Sequence, residues 1–170
     1  MHQVCPPKHP NMKNLGEIVI RAAGRGDEEE ILRCLAAAFE PYRAEYTPEA
    51  YADTVLDQAS LKKRLQYMYV LVAVASEGIV GTVAASLVNG EGHLRGMAVR
   101  PDWRGTRLSA QLLQAIETWL ADHGCKRVTL DTTLPLQAAI KFYEKNAYRR
   151  SGRVSDFYGM PLVEYVKEIG

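Results

Sequence analysis

The order of apolar patterns along this chain predicts an α/β (α+β) fold. It would hold a mixed central sheet of about seven strands with flanking helices, in which an antiparallel hairpin feeds a parallel strand–helix–strand unit. Three observations predict it. Valine-rich runs at 69–76 and 79–88 stand either side of a two-residue link, Glu77-Gly78, the spacing of a hairpin. A strand candidate at 93–100 is followed by a long apolar-striped segment and a further strand at 126–132, a succession that implies a right-handed parallel crossover. Residues 148–169 then read as two more strands around Gly159-Met160-Pro161.

The elements follow in order. EIVIRAA (17–23) alternates apolar and polar residues as a first strand does. Asp27 with Glu30 three residues later has the form of a capping box, and Ile31, Leu32, Leu35 and Phe39 fall on one face of the helix it would open. Residues 41–66 read as helical again, with Tyr42, Tyr46 and Tyr51 interleaved with charges. Turn residues 89–92 precede the strand HLRGMAVR, which Pro101 ends. From about Thr106 a helix lines up Leu108, Leu112, Leu113, Ile116, Trp119 and Leu120, and His123-Gly124 stops it. PLQAAIKFYEKN (135–146) makes a shorter helix with Pro135 near its start.

Composition narrows the function. The 170 residues, 47% hydrophobic and 24% charged, suit one domain over 17–170. Residues 1–16, with three prolines, read as a flexible extension without a signal-peptide core. A net charge of +1 gives no reason to expect nucleic acid or a membrane as partner, so any positive site must be local and suited to a small anion. No run approaches the roughly 20 apolar residues of a membrane span. Cys5, Cys34 and Cys125 are too scattered for a disulfide framework or a zinc site, so they read as reduced thiols in a cytoplasmic protein that needs no metal.

In WRGTRLSAQLLQAIETWL (103–120) a loop with two arginines opens directly onto a helix. A helix start leaves backbone N–H groups unpaired and carries about half a positive charge, which suits phosphate. Arg104 and Arg107 can equally be solvated surface residues. Together with the preceding strand, MAVRPDWRGTRLSAQLL resembles the acetyl-CoA motif of the GCN5-related N-acetyltransferase (GNAT) family, an Arg/Gln-x-x-Gly-x-Gly/Ala loop between strand and helix. Arg104 takes its first position, while Arg107 and Ser109 stand where small residues are usual.

That resemblance, which covers the chain from about residue 17, implies an enzyme moving an acetyl group from acetyl-CoA directly to a primary amine. It implies that Arg104, Gly105, Thr106, Arg107, Leu108 and Ser109 meet the pyrophosphate, and that the backbone of Met97, Ala98 and Val99 pairs with the pantetheine arm as an added strand. AAIKFYEKNAYRR resembles the family's later motif, with Ala139 and Tyr143 in register, Leu136 for the common Asn and Ala147-Tyr148 for the usual Gly-Phe. Tyr143 is thereby the general acid that protonates the leaving thiolate; without the resemblance it reads as a core tyrosine. His93 lies six residues before Val99, where several members carry a glutamate base. A largely neutral imidazole suits that task, a strand-end histidine is the plain alternative, and Asp131 or water is the fallback base.

In this fold the acceptor site is generally built from the segment after the first helix and from the terminal strands, so Tyr42, Tyr46, Asp131, Asp156, Phe157 and Tyr158 are its expected lining. Rings with an acid suit a cationic amine, on a small molecule or a peptide. The resemblance also allows a homodimer through the terminal strands. A non-catalytic acyl-CoA-binding or ligand-sensing module is the alternative, kept open by the altered loop. A nucleotide-binding protein is disfavoured by the lack of GxxxxGKS/T and GxGxxG.

Overall fold

Strands β1 (Val19–Ala22), β2 (Tyr69–Ala75), β3 (Gly78–Val88), β4 (Glu91–Val99), β5 (Arg127–Thr133), β6 (Arg149–Phe157) and β7 (Met160–Glu168) pair into one sheet in the computed structural model. It describes residues 17–170; the expected extension at 1–16, with Cys5, lies outside the described residues. The strand order is β1-β2-β3-β4-β5-β7-β6, and β4 with β5 is the parallel pair in an otherwise antiparallel sheet. Helices α1 (Glu28–Phe39), α2 (Pro48–Thr54) and α3 (Gln58–Tyr67) follow β1; α4 (Leu108–Asp122) crosses from β4 to β5 and α5 (Gln137–Lys145) from β5 to β6.

The central strands β2 and β3 are buried on both faces, while the edge strands β1 and β6 are largely exposed. The apolar stripe of α4 packs on Val80, Val83, Leu94, Val99, Val128 and Leu130. On the opposite face α1 and α3 cover Val72, Ile79 and Ala98. Leu94 and Val99 thus share a face although strict alternation would separate them. A bulge resolves this: β4 and β3 keep register from Glu91 to Arg95 and again from Ala98, with two residues of β4, Gly96-Met97, set against Val83 alone. Gly96 sits at φ +62°, where a side chain would be strained. The parallel pairing of β4 with β5 stops two residues before the bulge begins, at Leu94–Leu130. Beyond that point the edge of β4 from Arg95 to Val99 is unpaired toward β5, and a cavity opens between the two strands.

Local expectations are corrected in three places and refined in a fourth. The β2–β3 turn is Ser76-Glu77, one residue earlier than the expected link, because Gly78 already pairs with Ala75. Asp27 and Glu30 form no capping box: Asp27 is in helical geometry, its carboxylate accepts from Arg21 and from the Gly24 N–H, and Glu30 accepts from the Ile79 N–H at 2.7 Å. Residues 41–66 are helical as expected, divided into a 3-10 stretch, α2 capped by Thr47 and α3 capped by Asp57. The final turn is Tyr158-Gly159, with Phe157 paired to Met160.

Helices α4 and α5 end alike. In each, the residue after the cap adopts positive φ, and it and its successor donate to carbonyls of the last turn. In α4 that residue is Gly124 at φ +84°; in α5 it is Ala147 at φ +70°. The alanine occupies the place where the family motif usually has glycine, and it keeps the backbone conformation.

Candidate active site

A cavity of about 960 Å³ lies where β4 and β5 diverge, outside the carboxyl ends of the two parallel strands. Open α/β sheets bind ligands at such a place. One wall is mostly backbone. It comprises the unpaired edge of β4, with Met97, Ala98 and Val99, and the loop that opens α4. Gly105 holds φ +73° with nothing within 4 Å of where a Cβ would stand, so its backbone is open on that side. Arg107 precedes α4 and supplies no capping side chain. The Leu108 N–H donates to Thr106 Oγ1, whereas the Ser109 and Ala110 N–H groups find no acceptor among the described residues. Ser109 and Ala110 line the cavity.

The sequence-derived residues divide. Arg104, Gly105, Thr106, Arg107 and Ser109 line the cavity; Leu108 does not, since its side chain is fully buried in the core. Arg104 also ties the loop to α1: its guanidinium donates to the Ala38 carbonyl at 2.6 Å and lies over the Tyr42 ring at 5.7 Å. Thr106 Oγ1 donates to the Trp103 carbonyl at 2.6 Å, bracing the turn.

The other wall is made of side chains on the α1–α3 face. His93 Nδ1 is 2.8 Å from Thr129 Oγ1, and that hydroxyl donates to the Gly92 carbonyl at 3.3 Å. When the hydroxyl proton is so directed, Nδ1–H is the donor and Nε2 is the bare nitrogen. Nε2 stands 3.6 Å from Asp131 Oδ2, beyond hydrogen-bond length. Burial pushes the His93 pKa down, and Arg95 pushes the same way against Asp131. Burial pushes the Asp131 pKa up, with His93 opposing. Each group is thereby moved toward its neutral form.

Tyr143, on α5, lines the cavity with only 6% of its surface exposed, packed against Phe142 and Tyr148. Burial pushes its phenol above the usual range. It is therefore protonated at neutral pH, and its hydroxyl has no hydrogen-bond partner among the described residues. Tyr42, Tyr46, Asp131 and Phe157 also line the cavity, and Tyr46 Oη meets Thr133 Oγ1 at 2.6 Å. Asp156, near the end of β6, and Tyr158, in the β6–β7 turn, lie outside it: Asp156 accepts from the Gly159 N–H, and the Tyr158 carbonyl accepts from Thr47.

Asp53, Arg64, Arg95 and Thr132 line the cavity without having been singled out. Arg95 was within reach of sequence reasoning, two residues after His93 on one strand and therefore on its face. Arg64 was not, standing in the basic run Lys62-Lys63-Arg64 of a surface helix.

Comparison with known proteins agrees with this architecture. The model of the acetyltransferase (GNAT) family matches residues 30–148. An aminoglycoside N(6')-acetyltransferase type 1 of Stenotrophomonas maltophilia is 28% identical over 137 residues, covering 75% of this chain and 88% of that protein. A PaiA N-acetyltransferase from Thermoplasma acidophilum, solved with coenzyme A, superposes with a TM-score of 0.74 at 16% identity, covering 86% of this chain and 97% of that one. A GCN5-related N-acetyltransferase from Rhodopseudomonas palustris gives 0.75 at 22% identity, covering 95% and 100%. The chain belongs to the acetyltransferase (GNAT) family. It is an acetyl-CoA-dependent N-acetyltransferase. No helix among the described residues is long and apolar enough to cross a membrane.

Proposed function

We propose that this enzyme transfers the acetyl group of acetyl-CoA directly to a primary amine bound against His93 and Asp131. One observation carries the reading: a single cavity joins an unpaired strand edge and a helix start with free N–H groups to a bare imidazole nitrogen and an unpartnered phenol. These residues fit the co-substrate. The edge at Met97–Val99 can pair with an extended amide-bearing arm, and the N–H groups of Ser109 and Ala110 with Arg107 suit its phosphates. Acetyl-CoA supplies the acyl group as an activated thioester.

The chain's own residues move the protons. An alkylamine with a pKa near 10.4 is about one part in a thousand or less free base at pH 7. His93 Nε2 takes a proton from the amine, and Thr129 holds the ring in the tautomer that allows it. Asp131 faces the imidazolium that results. Tyr143 gives its proton to the sulfur as the C–N bond forms and the C–S bond breaks, after which solvent returns a proton to Tyr143 and takes one from the His93 imidazolium. The lowered pKa of His93 keeps it an acceptor at neutral pH, and the raised pKa of Tyr143 keeps it a donor.

An amine acceptor also accords with the aminoglycoside acetyltransferase relative. Calorimetric titration with acetyl-CoA, followed by amine-dependent release of the CoA thiol, tests the reading. Saturable binding with amine-dependent release is expected; binding without release from any amine would instead favour the ligand-sensing module.

A further inference from the structure

Arg64 carries a charge that the fold leaves unanswered. It projects from α3 over the β4 bulge, so close that a Cβ on Gly96 would come within 2.3 Å of its Nη1. It lines the cavity, yet no hydrogen bond or ion pair holds its guanidinium among the described residues. The acid that could pair with it is taken: Asp53 accepts from Arg95 at 2.8 Å. Burial and the neighbouring Arg95 lower the Arg64 pKa to about 10, Asp53 only partly offsetting them, so the cation is held at a cost while staying charged at neutral pH. A part-buried, unpaired guanidinium lining a ligand cavity is a fork of donors waiting for an oxyanion.

We infer that Arg64 binds a carboxylate of the acceptor, so that the amine acetylated here belongs to an amino acid rather than to a polycation. This rests on the acyl-transfer reading and names its substrate class. His93 and Gly96 are three residues apart on β4, at most about 10 Å along a strand and less where the bulge begins. An amine at His93 and a carboxylate at Arg64 therefore fit one small molecule, whether an α-amino acid or one whose amine lies a few carbons from the carboxylate. On the same wall Asp53 and Asp131 are matched by Arg64 and Arg95. That balance suits a zwitterion and disfavours a ligand with several positive charges.

Matched acceptors test the inference. The protein amino acids, together with β-alanine, 4-aminobutyrate and ornithine, are assayed as free acids and as primary amides, beside the aminoglycoside kanamycin, by CoA thiol release. For the preferred side chain, kcat/KM for the acid is expected to exceed that for the amide by about ten- to a hundredfold. The preference runs against free-amine availability, since the amides are the weaker bases and hold more neutral amine at pH 7. Arg64→Gln should collapse the ratio toward one, and Arg64→Lys should retain part of it. Equal or better use of the amides, a ratio unmoved in Arg64→Gln, or turnover confined to kanamycin would overturn the carboxylate site while leaving acetyl transfer intact. Absence of turnover with every amine would instead sink the acyl-transfer reading. The site is then judged by calorimetry of the N-acetyl amino acids on the CoA-loaded protein: binding lost in Arg64→Gln upholds it, and no binding to the native chain refutes it.

Discussion

The two walls of the cavity are built from different materials. Along the α4 side, the groups facing the cavity are largely backbone: the loose edge of β4, the turn at Gly105 and the N–H groups that open α4. Across from it, on the α1–α3 side, they are side chains: Arg95 paired with Asp53, His93 facing Asp131, and Arg64 without a pair among the described residues. The difference teaches how the chain departs from its family motif in the loop and still folds to the same frame. Backbone recognition is indifferent to side-chain identity as long as the conformation survives, so Arg107 and Ser109 can stand where small residues are usual. A wall of side chains changes its preference with each replacement. The first wall suits a ligand common to a whole family, and the second suits the ligand that distinguishes one member.

The sharpest break would come on the side-chain wall. His93→Ala should lower kcat about a hundredfold or more, with the acidic limb of the pH–rate profile lost. In the native enzyme that limb lies below the ordinary histidine value, because burial and Arg95 depress the His93 pKa. A base works when deprotonated, so the rate rises with pH through that depressed value. Arg95→Gln removes a repelling charge and should move the limb upward; an unmoved limb would separate His93 from the chemistry.

Tyr143→Phe should cut kcat by about ten- to a hundredfold while leaving the acetyl-CoA affinity, read by calorimetry, nearly unchanged. On the backbone wall the expected result is the reverse. Gly105→Val forces a β-branched residue into φ +73°, a strain of about 1–2 kcal/mol. It should weaken acetyl-CoA binding roughly tenfold and leave the pH dependence of turnover where it was. If Gly105→Val moved the pH profile and His93→Ala weakened acetyl-CoA binding, the division between the walls would be wrong.

The smallest effect concerns how firmly α5 holds Tyr143. Ala147→Gly relieves an alanine at φ +70° and should raise stability by about 0.5–1 kcal/mol, or about 2–3 °C in the thermal midpoint. Gly124→Ala at the matching end of α4 should lower stability by a comparable amount. Equal and opposite shifts would mean that both helix ends cost the same to close.

Much of this molecule was legible before folding was considered. The valine runs, the leucine stripe of α4 and the succession strand, helix, strand are periodic signals, and hydrophobic burial obeys period directly. Segment 41–66 was not legible in detail. Its tyrosines and charges carry no clean period, and its helices are set by the caps Thr47 and Asp57 and by packing on the sheet. The Asp27–Glu30 pattern misled because Arg21 and the Ile79 N–H competed for the two carboxylates, partners that exist only once β1, β2 and β3 have assembled.

By itself, then, the order of residues determined the sheet, the crossover and the place of the loop at the head of α4, since each follows from local period and turn chemistry. Only the tertiary structure decided what meets in the cavity. The bulge at Gly96-Met97 changes which residues share a face and seats Arg64 over Gly96, Thr129 orients the His93 ring, and Asp53 goes to Arg95 rather than to Arg64. These depend on contacts between residues distant in the chain, and no local pattern encodes a partner that is absent.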